Sequence, residues 1–428
     1  MKRLLILASK LGYQTRSFAE AAARLGAEVV FGTDRCAKLD DPWQDGAVPL
    51  HFENPQQAAQ RILEAIRDTR VDGIIALGDR PTSTAAHAAQ SLGITYNSPL
   101  AVENCRTKLR QREVLRDAGL PVPEFFAFPL NEEISRVLLG VKFPCVVKPL
   151  SLAASQGVIR ANNSSEFIVA AKRIQTLLES PELRATREPS LDRLLVERYI
   201  PGDEVAIEAL LTNGELRVLA IFDKPGHPEG PYFEESIYVT PSRQPALAQA
   251  SLAAMLRASA RALGLTHGPV HAEFRLNEDG PWVLEIQPRP IGGLCSRALR
   301  FGAEKIFLEE LLVRHVLGLP GSDLPREKEA SGVMMVPVPR SGILEKVEGE
   351  AAAASAAGVT EIQITARLHD YIAAWPEGSS YLGFIFARGN EPEEVVAALQ
   401  QAHAKLNFTL TERLPVEHPQ AGKKSARG

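Results

Sequence analysis

With 428 residues the chain exceeds what one hydrophobic core ordinarily organises, so two or three domains are expected. Its 45% hydrophobic and 23% charged residues are those of a soluble globular protein. A net charge of -4 gives no electrostatic reason to expect nucleic acid or an anionic membrane as partner. No apolar run reaches the length of a bilayer span. The opening MKRLLILASK is too short in apolar residues for a signal peptide, and Lys10 interrupts it. Cys36, Cys105, Cys145 and Cys295 lie scattered with no metal-type spacing, the pattern of reduced thiols in a cytoplasmic protein.

The first hundred residues alternate strand and helix. RLLILAS reads as a buried strand, SFAEAAARLG as a helix ending at Gly26, and AEVVFGT as a second strand. PQQAAQRILEAIRDTR, opened by Pro55, is a helix; VDGIIALG is a strand; PTSTAAHAAQSLG is a helix. This alternation predicts an open parallel sheet with helices on both faces. Gly12 and Gly78 follow strand ends, where such sheets bind ligands, but no GxGxxG follows the first strand to support a dinucleotide site.

A second unit starts near Ser98. A helix stopped by Gly119 leads to the β-rich FPCVVKPL and the small-residue run SLAASQGV. SSEFIVAAKRIQTLLES is a helix; LLVERYI, VAIEALLT and ELRVLAIF are strands. FDKPGHPEGPYFEES (222–236) holds too many prolines and glycines for regular structure, and so long a loop inside a domain is usually functional. LAQASLAAMLRASARALGL and AEKIFLEELLVRHVLGL are helices. From about Pro325 a small α+β unit follows, with strands GVMMVPVP, GILEKVEG, EIQITAR and YLGFIFARG, a helix from EPEEVVAALQQAHAKL, and a polar tail.

The most informative stretch is HAEFRLNEDGPWVLEIQPR, from His271 to Arg289. Two strand-like runs flank a turn. With Glu278, Asp279 and Gly280 as the loop, Asn277 pairs with Pro281, Arg275 with Val283, Glu273 with Glu285 and His271 with Gln287. Side chains alternate faces. His271, Glu273, Glu285, Gln287 and Arg289 then share one face, while Ala272, Phe274, Leu284 and Ile286 enter a core. Like charges opposite one another destabilise a sheet. A divalent cation between them removes that cost, and hard carboxylate oxygens suit Mg²⁺. The competing reading is a solvated strand face with its charges splayed apart, and a one-residue slip of register would undo the pairing.

These residues resemble the metal-binding end of the ATP-grasp superfamily. HAEFRL followed by VLEIQPRPIGG is similar to its acidic strand and E-x-N-P-R-type motif. Lys108 in CRTKLRQREVLRDAGLPVP and Lys148 in FPCVVKP resemble its two ATP lysines. The loop Ser151–Gly157 resembles its flexible phosphate cover, and LLVERYIPGDEVAIE its adenine hinge. GPYFEESIYVTPS and ITARLHDYIAAWPEGSSYLGFIFARG look like the L-amino-acid ligase branch, which joins a carboxylate to an amine.

The resemblance implies an α/β and α+β multidomain fold: an open parallel α/β N-terminal domain (1–97), a two-lobed ATP-grasp core (98–320), a small α+β C-terminal domain (321–415) and a flexible tail (416–428). It implies ATP and Mg²⁺, or Mn²⁺, as cofactors. Glu273, Glu285 and Gln287 would be metal ligands, with Gln287 standing where asparagine is usual. Lys108 and Lys148 would meet the phosphates. Ser151, Ser155 and Gly157 would fold over them. Glu197, Tyr199 and Ile200 would meet adenine, and Glu204 the ribose. Arg289, Lys148 and His271 would act at the reacting phosphoryl group. Lys224, Glu234, Glu235, Gly292 and Gly293 would contact substrate. The implied partners are small carboxylates and amines, amino acids foremost, with no nucleic acid or membrane; a homodimer is compatible with this. An enzyme activating bicarbonate or formate, as in carboxylases and the purine pathway, and a nucleotide-binding regulator without turnover are the alternatives left open.

Overall fold

The structure, a computed structural model, describes residues 1–9, 12–34, 47–67, 69–226, 230–234 and 236–412. The first unit is the parallel sheet expected. Strands β1 (Arg3–Ala8), β2 (Glu28–Thr33), β3 (Val48–Pro49) and β4 (Gly73–Leu77) stand in the order β3-β2-β1-β4. β1 is buried along nearly its whole length because helices cover both faces. The helix after β1 spans Tyr13–Arg24 and so begins a turn earlier than its apolar pattern suggested. That extra turn carries no core residue that periodicity could register until Thr15; it carries Tyr13 and Gln14 into a cavity instead.

Next comes a small lobe. Strands β5 (Phe125–Pro129), β6 (Cys145–Pro149), β7 (Ile159–Ala161) and β8 (Arg193–Arg198) form a separate sheet, ordered β5-β8-β6-β7. The helix Ser164–Leu178 packs on it, and the lobe has its own core around Val147, Phe167, Ile174 and Leu194.

The large sheet has eight strands. It contains β9 (Asp203–Thr212), β10 (Glu215–Asp223), β11 (Ile237–Thr240), β12 (Gly268–Asn277) and β13 (Gly280–Gln287). After the short pair β14 (Arg300–Phe301) and β15 (Ile306–Phe307) come β16 (Ala330–Val336), β17 (Gly342–Glu348), β18 (Val359–Ile364), β19 (Tyr371–Ile372), β20 (Gly383–Gly389) and β21 (Asn407–Thr411). The order β13-β12-β9-β10-β11-β16-β20-β18 shows one sheet running from the hairpin into the last hundred residues. The C-terminal strands therefore divide: β16, β18 and β20 extend the large sheet, while β17 joins β19 and β21 in a three-stranded one. β21 was not expected from the sequence.

The hairpin of β12 and β13 corrects the expected register in part. His271 faces Gln287 and Glu273 faces Glu285, as expected. Arg275, however, faces Trp282 rather than Val283, and Asn277 faces Gly280 rather than Pro281. The loop is the two residues Glu278 and Asp279, with Gly280 at φ 103° relieving the turn. A bulge next to Glu273 and Phe274 absorbs the extra residue. Val283 thus takes the core position expected of Leu284, and Leu284 turns into the cavity.

Candidate active site

A cavity of about 580 Å³ lies where the N-terminal sheet, the small lobe and the large sheet meet. Glu273 and Glu285 both line it, as do Lys108, Lys148 and Arg289. Three segments therefore deliver charge to one space: the helix Lys108–Asp117, strand β6 and the hairpin.

The polar contacts are dense. Lys148 Nζ lies 2.5 Å from Glu197 Oε2, and Arg112 Nε donates to Glu197 Oε1 at 2.7 Å. Burial alone would push the Glu197 carboxyl up, but Arg112 and Lys148 overcome it and hold the group down at about 2. Burial, with the Arg112 and Lys108 charges, keeps the Lys148 ammonium below its usual pKa against the pull of Glu197. Lys108 Nζ donates to Leu152 O at 2.8 Å and to Glu285 Oε1 at 3.2 Å. Lys224 Nζ sits between Glu204 Oε1 and Glu273 Oε1, 2.9 Å from each, and Arg275 Nε is 3.1 Å from Glu204 Oε2. Tyr238 O–H donates to Glu273 at 3.3 Å.

His271 is bonded through Nδ1 to Glu208, and its Nε2 is 3.5 Å from Glu273 Oε1. Burial opposes its charge, yet Glu208 and Glu273 raise it to about 9, so the ring is an imidazolium at neutral pH. Glu208 also accepts from the Ile291 N–H. Arg289 Nε donates to Asp79 Oδ1 at 2.6 Å. Burial pulls the Arg289 guanidinium down, and Asp79 with Glu285 and Glu208 more than restores it.

The outer edge of β13 is closed by the helix Lys108–Asp117. Gln111 Nε2 donates to Ile286 O at 2.8 Å and its Oε1 accepts from Ile286 N–H at 2.9 Å. Arg112 Nη2 donates to the carbonyl of the bulge residue Leu284 at 2.8 Å. One helix thus fixes both the strand that carries Glu285 and the carboxylate that holds Lys148.

Three family models match in chain order: the ATP-grasp N-terminal domain over residues 19–94, the ATP-grasp domain over 141–298 and the L-amino acid ligase C-terminal domain 2 over 334–411. A D-alanine–D-alanine ligase of Aromatoleum aromaticum is 30% identical over 270 residues, 60% of this chain and 79% of that protein. The chain belongs to the ATP-grasp family. It is similar along nearly its whole length to the crystal structure of an L-amino acid ligase from Bacillus licheniformis, at 26% identity and a TM-score of 0.79, covering 96% of this chain and 99% of that one. Carnosine synthase 1 of Gallus gallus is 29% identical over 321 residues, 69% of this chain but 33% of that protein. The protein is an ATP-dependent carbon–nitrogen ligase of ATP-grasp type. No helix among the described residues is long and apolar enough to cross a membrane.

In this ATP-grasp chain Glu197, Tyr199, Ile200, Glu204 and His271 all line the cavity. Glu197 lines the cavity with Arg112 on one carboxylate oxygen and Lys148 on the other. The Tyr199 N–H donates to Pro144 O at 3.0 Å and is not available to a ring edge; its own ring stacks on Phe233 beneath Arg160. Ile200 lines the cavity beside it. Glu204 also lines the cavity, paired with Lys224 and with Arg275, which lines it too. His271 reaches the cavity, though both ring nitrogens face carboxylates.

In the small-residue loop, Ser155 lines the cavity, whereas the Ser151 hydroxyl pairs with Ser190 at 2.5 Å beside a neighbouring pocket. The Gly157 N–H donates to Pro376 O at 2.8 Å, and Gly157 is absent from the cavity wall. Gln287 presents its amide nitrogen, not its oxygen, to Glu285 at 2.7 Å, and it is absent from the cavity wall. Lys224 is buried behind Glu273 instead of standing on an acceptor loop. Glu234 faces the C-terminal unit, accepting from Val338 N–H at 3.3 Å. Glu235 lies outside the described residues. Gly292 and Gly293 both line the cavity.

Asp79, Arg112 and Glu208 were missed. Asp79 follows Gly78 at the end of a parallel strand, the position where such sheets bind ligands, so a signal existed. Arg112 and Glu208 carry none: one is a helix charge, the other an acid inside an apolar strand, and only the fold shows their partners.

Among the described residues no three His, Cys, Asp or Glu side chains gather as a ready metal site. Glu273 and Glu285 nevertheless suit Mg²⁺, which commonly takes one or two carboxylates and completes its shell with water and phosphate oxygens.

Proposed function

We propose that this ligase joins a carboxylic acid to an amine through an acyl phosphate, with amino acids as substrates and ADP and phosphate as products. The observation that carries the reading is the opposed pair Glu273 and Glu285 in one cavity with Lys108, Lys148 and Arg289. Five charges converging on one cavity suit the transfer of a highly charged group, where positioning and electrostatics supply most of the catalysis.

Lys148, oriented by Glu197 and Arg112, and Lys108 lie against the nucleotide phosphates; each is a point charge in a buried setting. Glu273 and Glu285 are the residues that would hold a divalent ion, which when bound offsets phosphate charge and draws electron density from the γ-phosphorus. An oxygen of the substrate carboxylate attacks that phosphorus, the bond to the bridging oxygen breaks, and ADP departs. The amine nitrogen then attacks the acyl carbon, the carbon–oxygen bond to phosphate breaks, and phosphate carries off the amine's proton. Arg289, a planar donor at the end of the hairpin, stabilises the anion at the acyl centre. The loop around Ser155 covers the phosphates and excludes water, which would otherwise hydrolyse the acyl phosphate.

The test is ADP release with Mg·ATP over a pairwise panel of amino acids and small carboxylic acids. ADP should form when an acid and an amine are both supplied, with the amide detected by mass spectrometry. Turnover supported by bicarbonate or formate and indifferent to amino acids would overturn the reading; so would ATP binding with no turnover on any pair.

A further inference from the structure

The cavity continues past Arg289 into a region lined by Tyr13, Cys295, Met335, Tyr381 and Phe384. Its walls pack closely. Tyr13 meets Phe384 edge-on with ring centres 5.8 Å apart, and Tyr381 lies 6.2 Å from the same ring. Gly293, at φ 64°, sits so near that an added Cβ would be 3.1 Å from Phe384. The other polar side chains that line this end among the described residues, Gln14, Thr365, Ser379 and Ser380, are neutral. Among the described residues the one acid at this end is Asp79, side by side with Arg289.

We propose that Asp79 receives the α-ammonium of the amino acid whose carboxylate is activated, and that the uncharged wall beyond it selects a bulky apolar or aromatic side chain. This rests on the ligase reading. In an α-amino acid a single carbon separates carboxylate from ammonium, so its receptors must be neighbours of opposite sign. Arg289 and Asp79 are such neighbours, 2.6 Å apart and contributed by different sheets. The remaining acids of the cavity face other cations: Glu197 is held by Lys148 and Arg112, Glu204 by Lys224 and Arg275, Glu273 by Lys224, and Glu285 by Lys108.

A neutral ion pair taking a neutral zwitterion leaves the buried charge balanced. A substrate side chain bearing its own charge would lose water against this wall and find no partner of opposite sign among the described residues, a cost that rejects it strongly. The contact with Asp79 has a second consequence. An ammonium engaged in a salt bridge has no lone pair, so the activated amino acid is kept from acting as the nucleophile.

The experiment separates the acid from the amine by using hydroxylamine as a common nucleophile and measuring hydroxamate with Mg·ATP. In the wild type, kcat/KM for L-phenylalanine and L-leucine should exceed that for L-glutamate, L-lysine and 3-phenylpropionate by about 100-fold or more. In Asp79→Asn the preference for L-phenylalanine over 3-phenylpropionate should shrink by about 10-fold or more, with KM for ATP little changed, and Asp79→Glu should recover part of it. Wild-type hydroxamate from L-glutamate or L-lysine at rates equal to L-phenylalanine, or an Asp79→Asn enzyme with the full preference intact, overturns the inference and leaves the ligase reading standing. If no amino acid yields hydroxamate while formate or bicarbonate drives ADP release, the ligase reading itself has failed and this inference falls with it.

Discussion

Glu197 and Glu285 are both cavity carboxylates, yet their surroundings give them different work. Glu197 is enclosed by Arg112 and Lys148, whereas Glu285 is a fifth exposed and touches Lys108 and Gln287. Glu285→Ala should therefore lower kcat on the order of 10²–10³-fold, the scale for losing one preorganised electrostatic group, with Tm nearly unchanged. Steady-state ADP release and a thermal melt on the same sample check this. Glu197 predicts a pH effect instead. Its carboxyl is held at about 2 against an ordinary 4.5, so the stability it adds is whole above about pH 4.5 and drains as pH falls toward 2. Glu197→Gln should flatten Tm against pH across that window. His271 acts in the other direction. With its pKa raised to about 9 from 6.5, its contribution is complete below pH 6.5 and is lost as pH rises through 9. The alkaline fall in Tm should be smaller in His271→Asn.

At the scale of elements, the hairpin was legible because its polar and apolar faces separate cleanly. Its bulge was not, because nothing in NEDGPWVLE distinguishes a three-residue loop from a two-residue loop with a bulge above it. What favours the bulge comes from outside the hairpin, where Arg112 donates to the Leu284 carbonyl and Gln111 pairs with Ile286. Gln111→Met would strand a buried N–H and a buried carbonyl on β13, costing about 2–4 kcal/mol. Urea unfolding of the variant measures it. The small-residue loop likewise depends on a distant element. Trp375 Nε1–H donates to Ala154 O at 2.9 Å, Gln156 Nε2 to Glu377 O at 2.7 Å, and Gly157 N–H to Pro376 O. Trp375→Phe removes one of these bonds while keeping an aromatic ring. ATP hydrolysis without amide formation should rise several-fold relative to ligation, read as the ratio of ADP to amide.

For the whole molecule, one apolar cluster joins Leu4, Ile6 and Phe18 of the first unit to Phe222 and Phe301 of the middle and Phe384 and Phe386 of the last. The small lobe keeps a separate core. Elements sharing a core unfold together, and a lobe with its own can open alone. Hydrogen exchange should show the first sheet and the large sheet protected to a common limit, with β5–β8 exchanging earlier in the absence of nucleotide. Addition of Mg·ATP should slow exchange in β6 and the loop after it. Earlier exchange of the first sheet, apart from the large one, would contradict a shared core.

By itself the sequence determined the parallel opening sheet, the acidic hairpin and the ligase family, because each is written in local periodicity or in motifs whose order survives any detail of packing. Only the tertiary structure decided which charges meet. Arg112 with Glu197, Glu208 with His271 and Asp79 with Arg289 are separated by 85, 63 and 210 positions. Pairing over such distances depends on how sheets and helices pack, and no local pattern along the chain encodes it.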